Sequence, residues 1–215
     1  LDLFAKRESL GDGDFGGRGK GLRIEVTDSF DKLRCHADAW NNLAYEAPHC
    51  LPTLSHAWVV SFLENHIDEN QSWRCIFIYD DNNLVGVLPL VIIPHHMLGF
   101  NQPRLKTPHN KHSFSVDFLS ARGREREVIP LLLEQMRRIQ PSLYDFSLNR
   151  LPEDSPTFGV IENWKSGTTI IREFDGIGSF LEVGGTHEQY RKSLSHNFAR
   201  NLVKARNKLA RLPDV

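Results

Sequence analysis

The chain has 215 residues, of which 40% are hydrophobic and 25% are charged, and its formal net charge at pH 7 is −1. This length can form one sizeable α/β domain or two small ones without disulfides or metals to hold it together, and the near-neutral charge argues against a protein that coats nucleic acid. The three cysteines have irregular spacing and form no CxxC pair, so they support neither a disulfide framework nor a thiolate zinc site, and we expect a cytoplasmic protein.

The amino-terminal segment is rich in glycine. Residues 9–21 read SLGDGDFGGRGKG and lack the GxxxxGK[ST] pattern of a phosphate loop. Nothing before them resembles a signal peptide, because the first ten residues are charged and have no apolar core. We expect residues 1–21 to form a flexible leader.

Two helices are predicted after a short strand at Leu22–Val26. Ser29 is a good N-cap for the first helix, whose apolar positions recur at helical spacing. Those positions are Phe30, Leu33, Ala37, Trp40 and Leu43. The second helix should run from Ser55 to Asn65 and bury Trp58, Val59 and Phe62.

A β-hairpin is the clearest strand signal. Ser72–Tyr79 and Leu84–Ile93 are separated by the turn-forming residues DDNN. The second run is almost entirely apolar, which is typical of a central strand covered on both faces, and it is too short to span a bilayer. Pro89 cannot donate to a ladder, so we expect a bulge or an end of pairing there.

The rest of the chain mixes strands and helices. Residues 94–114 contain three prolines and four histidines and are predicted to be a long loop. Helices are predicted at Arg124–Ile139, with Pro130 in the first turn or at a kink, and at Ser155–Trp164. The predicted strands are Ser115–Leu119, Leu143–Leu148, Thr168–Phe174 and Ser179–Val183. This order indicates a mixed sheet flanked by helices.

The final helix is strongly basic. Residues 186–211 read THEQYRKSLSHNFARNLVKARNKLAR and hold seven basic residues and one acidic residue, so this segment carries about +6. Thr186 and Gln189 form a capping box, and an apolar stripe follows that needs a surface to cover it. The stripe comprises Tyr190, Leu194, Phe198, Leu202, Ala205 and Leu209. We predict one long amphipathic helix from Thr186 to Arg211.

Four segments in this order resemble one family. They are the helices bearing Trp40 and Trp58, the hairpin sequence NLVGVLPL at Asn83–Leu90, the strand and turn YDFSLNRLPEDSP at Tyr144–Pro156, and SLSHNFARNLVKARNKL at Ser193–Leu209. The last is similar to the family pattern LSxxxRxNLRRARRRL, with Val203 and Lys204 in place of two arginines. The family is the CelD/BcsL-type acetyltransferases of the GNAT superfamily, related in architecture to Fem-type peptidyltransferases.

The resemblance implies two GNAT-like halves, of which this chain is the amino-terminal one. We therefore expect residues 22–185 to be the first domain and residues 186–215 to lead into a second domain. Acetyl-CoA or another acyl-CoA is expected to bind that second half, where a strand splays and a helix N-terminus receives the pyrophosphate. The pyrophosphate pattern [QR]xxGx[GA] does not occur in this sequence, so we expect the cofactor-binding residues to lie beyond Val215. The implied reaction is N-acylation of a small amine or amino sugar, with a link to polysaccharide or cell-envelope synthesis and no metal.

The basic helix leaves three interpretations open. Arg191, Arg200, Lys204 and Arg206 are candidate ligands for substrate or CoA phosphates. A docked helix with a solvated basic face is the plain alternative, and nucleic-acid binding is the weakest one, because no stacking platform accompanies the charge. The pattern identifies no catalytic residue; Asp145, Glu153 and Asp154 are the carboxylates considered as bases. A non-catalytic GNAT-like module that binds a partner or an anionic polymer is the alternative function.

Overall fold

The structure is a computed structural model that describes residues 21–97, 100–101, 103–111, 113–140, 145–164, 169–174, 176 and 185–211. The chain forms two compact units, residues 1–175 and residues 176–215. The predicted leader, apart from Gly21, and the predicted strand Ser179–Val183 lie outside the described residues, as does Val215.

The first unit is built on a mixed β-sheet that is antiparallel except for one strand pair. Its strands are β1 (Leu22–Thr27), β2 (Ser72–Asp80), β3 (Asn83–Ile93), β6 (Arg104–Lys106), β7 (Leu119–Ser120) and β8 (Asp145–Ser147). They lie in the order β1-β2-β3-β6-β8, and β7 also pairs with β3. A separate two-stranded ladder joins β4 (His96–Met97) to β5 (Phe100–Asn101).

Within the described residues, five helices accompany this sheet and two more lie in the second unit. The first five are α1 (Phe30–Cys35), α2 (Ala37–Glu46), α3 (His56–Asn65), α4 (Glu125–Ile139) and α5 (Pro156–Glu162). The second unit contains α6 (His187–Ser193) and α7 (His196–Leu209). A 3-10 turn at Pro52–Leu54 precedes α3.

The sheet separates two apolar cores. Alternate residues of β2, such as Cys75 and Phe77, pack with α1, α2 and α3 on one face, while Ile76 and Ile78 pack with α4 on the other. This alternation is the period-two geometry of a strand covered on both sides. The predicted mixed sheet flanked by helices is confirmed, and so is the central position of β3.

The hairpin follows its sequence signal and contains one irregularity. Asp81 occupies the turn with φ 52°, a left-handed conformation that aspartate tolerates. The pairing moves from Ile78↔Gly86 to Tyr79↔Leu84, so Val85 is an extra residue on β3. This β-bulge lets Val85 and Gly86 both face α4.

Gly86 allows α4 to lie close against the sheet. A Cβ atom at this position would collide with the side chain of Val128, which is fully buried in α4.

Pro130 lies inside α4 and not in its first turn. The helix begins at Glu125, so of the two positions expected for this proline the one beyond the first turn is observed. The carbonyl of Arg126 thereby lacks its usual donor in the helix.

Several predictions of local structure were wrong. The predicted loop 94–114 contains β6, a strand of the main sheet, as well as β4 and β5. Only Leu119 of the predicted strand Ser115–Leu119 is in a strand, and the described part of Thr168–Phe174 is not a strand. The first predicted helix is interrupted at His36, whose φ of −89° and ψ of 0° separate α1 from α2.

The predicted single helix over residues 186–211 is two helices. The capping box of Thr186 and Gln189 is present at the start of α6. Leu194 then adopts an extended conformation, and the hydroxyl of Ser195 accepts a hydrogen bond from the amide of Phe198 to begin α7. A serine that caps a new helix competes with continuation of the previous one, which explains the break.

The apolar stripe of α7 is exposed within the described residues. Phe198 is 51%, Leu202 is 44% and Leu209 is 52% accessible, so burial of the stripe against the domain or against a second half stays a prediction. Across the part of the chain that the structure describes, no helix is long and apolar enough to cross a membrane.

Candidate functional site

The ladder between the parallel strands β6 and β8 stops at their carboxyl ends. They pair from Arg104↔Asp145 to Lys106↔Ser147, and a last hydrogen bond joins the amide of Thr107 to the carbonyl of Ser147 at 3.3 Å. The chain after β6 continues to β7, whose partner in the described sheet is β3. Ligands of open α/β sheets bind in crevices outside the carboxyl ends of strands, so this divergence is the first place to look for a site.

The central strand β3 also changes partners there. Its residues 91–93 pair with β6, and its residues 86–87 pair with β7. Pro89 lies between these two ladders, in a stretch that pairs with β2 alone among the described strands. The end of pairing expected at Pro89 is therefore present on the side of β3 that pairs with β6 and β7. The bulge of β3 lies at Val85 and not at Pro89.

Hydrogen bonds bridge the two chain segments beyond the point where they separate. The carbonyl of Arg150 accepts from the amide of Val116 at 3.3 Å and from the hydroxyl of Ser115 at 2.8 Å. Farther along, the hydroxyl of Ser155 donates to Oδ2 of Asp117 at 2.6 Å. The space left beside Asp117 is about 10 Å³, the room of a single water molecule.

Asp117 is the buried acid of this region. It is 5% exposed, and burial raises the pKa of its carboxyl above the ordinary value. Hydrogen bonds from Ser155, Thr157 and the amide of Phe118, together with the charge of His49, act in the opposite direction and lower this pKa. Nε2 of His49 is buried without a hydrogen-bond partner in the described chain. No sequence pattern predicts that Asp117 and His49 interact, because the two residues are far apart along the chain.

The amino terminus of α4 already holds a carboxylate. Oε1 of Glu125 accepts a hydrogen bond from the amide of Gly123 at 2.8 Å, and Glu127 also lies in the first turn. Arg124 is paired with Asp80 at 2.6 Å and with Glu127 at 2.9 Å. A pyrophosphate at this helix end would meet two negative charges where the family expectation needs open amide donors.

The cofactor site expected beyond Val215 stays a prediction. Val215 itself lies outside the described residues, so the structure neither supports nor contradicts a site that follows it. What the described residues show is that the crevice beside Asp117 and the helix end at Glu125 are both occupied by the chain's own side chains.

A separate polar pocket of about 210 Å³ opens where the loops after β6 and β8 meet. It is lined by His109, Asn110, Lys111, Asn149 and Arg150. Arg150 has φ 57°, the left-handed region, and its guanidinium donates to the carbonyls of Lys111 and Ser113. His109 is one of the four histidines of the predicted loop, but the sequence analysis did not predict this pocket.

The basic residues predicted to form a phosphate site lie on two helices. Arg191 lies on α6, while Arg200, Lys204 and Arg206 lie on α7. Arg200 and Lys204 are one turn apart and share a face, but a two-residue step puts Arg206 about 200° around the helix from Lys204. Arg200 donates to Oδ1 of Asn197 at 3.1 Å.

Two of the carboxylates named from the sequence as possible bases form ion pairs in the structure. Asp145 accepts from Arg104 at 2.5 Å, and Glu153 pairs with Arg172 at 3.5 Å. Ser155, rather than Glu153 or Asp154, caps α5 by accepting a hydrogen bond from the amide of Thr157. Among the described residues, no group of three or more potential metal ligands is present.

A second polar cluster lies beside β1. Nδ1 of His36 is 2.5 Å from the hydroxyl of Tyr79, its ring stacks on Phe77, and its Nε2 is 3.6 Å from Glu25. Burial, followed by the charges of Arg23 and His56, lowers the pKa of His36. This cluster ties the break between α1 and α2 to the sheet.

Neither a family model nor a curated protein matches the sequence. Among solved structures, the chain is similar to an aminoglycoside acetyltransferase from an uncultured soil metagenomic sample in complex with trehalose, with a TM-score of 0.46 and 11% identity over 75% of this chain and 97% of the other. It is similar to an integron cassette protein from V. cholerae, with a TM-score of 0.45 and 13% identity over 82% and 100% of the two chains. A ribosomal-protein-alanine N-acetyltransferase from Brucella melitensis gives a TM-score of 0.41 and 17% identity over 74% and 99%.

Proposed function

We propose that this chain is the amino-terminal half of an acyl-CoA-dependent N-acyltransferase of the GNAT superfamily, of the CelD/BcsL type. The observation that carries the proposal is the pair of parallel strands whose ladder ends at Thr107 and Ser147. The ordered family motifs support it, because the hairpin at Asn83–Leu90 and the turn before Pro156 are parts of this same sheet and its edge. The acceptor is a small amine or amino sugar.

In this proposal the described domain does not itself hold the acyl-CoA. A thioester and its pantetheine arm need an open crevice between the separating strands. Here Ser155 and Asp117 are hydrogen bonded across that position. The amide of Gly123, just before the helix end that would receive the pyrophosphate, already binds the carboxylate of Glu125. We assign acyl-CoA binding to a second GNAT-like domain beyond Val215, joined through residues 186–215.

The basic face of α7 is our candidate contact with the phosphates of CoA or with the substrate. Arg200 and Lys204 lie one turn apart on an exposed face, which suits two contacts to one phosphate group. Arg191 and Arg206 were proposed for the same role, and they would have to reach it from another helix and from another side of α7. We rank Arg200 and Lys204 first for that reason.

The experiment is a CoA-release assay of the complete protein with acetyl-CoA and a panel of amines and amino sugars. We expect acceptor-dependent release, and direct binding of acetyl-CoA by the complete protein but not by residues 1–215. Arg200→Ala should lower acyl transfer without changing the melting temperature, and Arg126→Ala, at an exposed position of α4, is the matched control. Tight, saturable binding of acetyl-CoA to residues 1–215 would overturn the assignment of the cofactor to a second domain.

The bridged crevice also favours a second candidate, a GNAT-like module that binds a partner or an anionic polymer without catalysis. The supporting observation is that both elements of an acyl-CoA site, the crevice and the helix end, are filled by the chain's own Asp117 and Glu125. The same assay separates the two candidates. A complete protein that binds no acyl-CoA and releases no CoA with any amine would favour the module. A role in polysaccharide or cell-envelope synthesis and a cytoplasmic location belong to the first proposal.

A further inference from the structure

We propose that the pocket between the loops after β6 and β8 is a binding site for a small anionic group, a phosphate or a carboxylate. The juxtaposition that carries it is a cationic pair, Lys111 and Arg150, on two loops that leave the same edge of the sheet. Two cations attract an anionic ligand most strongly where no carboxylate of the protein competes with that ligand for them. No carboxylate is among the lining residues of this pocket. The proposal concerns binding alone and stands whether or not the protein transfers acyl groups.

The backbone of Arg150 is held in an unfavourable conformation at the pocket wall. A non-glycine residue at φ 57° is in an unfavourable conformation, and it persists only when its surroundings hold it. Two donors, the hydroxyl of Ser115 and the amide of Val116, bind its carbonyl, and its guanidinium binds the carbonyls of Lys111 and Ser113. The loop is therefore fixed before any ligand arrives, which reduces the entropy lost on binding.

Polar side chains complete the wall. Nδ1 of His109 is 3.1 Å from the carbonyl oxygen of Thr107 and 3.5 Å from the side-chain nitrogen of Asn149. Because a carbonyl can only accept, Nδ1 carries the hydrogen when it makes the shorter contact. Nε2 is then the ring nitrogen left for a ligand hydroxyl. The side-chain amides of Asn110 and Asn149 add hydrogen-bonding groups to the same wall.

The size of the pocket limits what enters it. Pockets for whole drug-sized ligands measure about 300–1,000 Å³, and this one is about 210 Å³. It accommodates one charged group with a few neighbouring atoms, such as the phosphate end of a sugar phosphate or the carboxylate end of a uronic acid. The rest of the ligand would remain outside the pocket.

The test is a binding titration of the 215-residue protein by amide NMR and calorimetry. The probes are inorganic phosphate, glucose 6-phosphate, glucuronate and uncharged glucose, at low and at high salt. We expect the charged probes to shift the amide signals of residues 109–111 and 149–150, to bind more weakly as salt rises, and to bind more tightly than glucose. Comparison of the phosphate with the carboxylate probe identifies the preferred anion.

Lys111→Gln should weaken binding of the preferred probe by roughly tenfold, since a charged hydrogen bond is removed. Lys208→Gln, an exposed lysine on α7, removes the same charge elsewhere and should change the affinity by less than about twofold. Equal binding of glucose and glucose 6-phosphate, equal losses in the two variants, or no shift at either loop would each overturn the proposal. Arg150→Gly removes the second charge at a residue where glycine tolerates the left-handed conformation, and it should weaken binding as well; unchanged affinity in that variant would overturn the proposal, because the cationic pair carries it.

Discussion

Ser155 and Asp117 are joined by a 2.6 Å hydrogen bond that links the start of α5 to the segment leading into β7. The same hydroxyl accepts a hydrogen bond from the amide of Thr157 at 3.0 Å and so caps α5. One serine therefore satisfies a buried carboxylate and a helix terminus at once. This contact joins the chain segments that follow the parallel strands β6 and β8, beyond the end of their ladder.

Ser155→Ala should lower the free energy of unfolding by about 2 kcal/mol. The variant loses a helix cap and leaves one oxygen of buried Asp117 without its donor. Ser195→Ala is the matched control, because it removes an N-cap from the exposed helix α7 and nothing else; we expect about 1 kcal/mol or less there. Urea denaturation measures both values, and equal losses in the two variants would show that the Asp117 contact contributes nothing.

Asp117→Asn should change how stability depends on pH. Burial raises the pKa of the Asp117 carboxyl above its ordinary value near 3.8, so the folded state holds this proton more tightly than the unfolded state. The contribution of this group to stability is therefore greatest at acid pH and falls as the pH rises through the raised pKa. The free energy of unfolding of the wild type minus that of Asp117→Asn should decrease over this range. Asp154→Asn, on the exposed loop nearby, is the control for loss of a carboxylate, and a difference independent of pH would contradict the prediction.

His36 should give stability the opposite dependence on pH from that of Asp117. Burial, and then the charges of Arg23 and His56, lower its pKa below the ordinary 6.5, so the unfolded state binds this proton more tightly. The stability that depends on neutral His36 is present above pH 6.5 and is lost as the pH falls from there through the lowered pKa. His36→Phe, which keeps a ring against Phe77, should lack this loss. Titration of the imidazole by NMR gives the pKa directly, and a value at or above 6.5 would refute the prediction.

Gly86→Ala should destabilise the protein by about 1–3 kcal/mol. The added methyl group would collide with Val128, a fully buried residue of α4 that cannot move without disturbing the core. Gly159→Ala, at a helical position with open space around it, is the matched control and should be neutral or stabilising by up to about 1 kcal/mol. Chemical denaturation compares them, and equal stability of the two variants would show that α4 can shift.

The elements found correctly from the sequence are those with long, regular patterns. The hairpin of β2 and β3, the helix α4 and the capped helix α3 each combine hydrophobic periodicity with a clear boundary signal. The capping box at Thr186 was also correct, but the cap at Ser195 outweighed the continuous helical pattern on which one long helix was predicted. Local hydrogen bonding of one serine decided that outcome.

The candidate sites could not be predicted in the same way, because they depend on contacts between distant segments. Strand β6 has three residues, Arg104–Lys106, in a proline-rich stretch, and its strand conformation comes from its neighbours β3 and β8. The pairing of Asp117 with Ser155 and the approach of Lys111 to Arg150 both follow from that arrangement. No spacing along the chain carries this information.

The extra residue in β3 can be removed without changing the alternation of the hairpin. Leu84 and Gly86 pair with the consecutive residues Tyr79 and Ile78, so deleting Val85 would remove the bulge and leave Leu84 in the core of α1, α2 and α3. The deletion would remove only the contacts that Val85 makes in the core of α4. A family of sequences that keeps this fold should therefore include members that lack the residue at the bulge and pair these two strands without interruption.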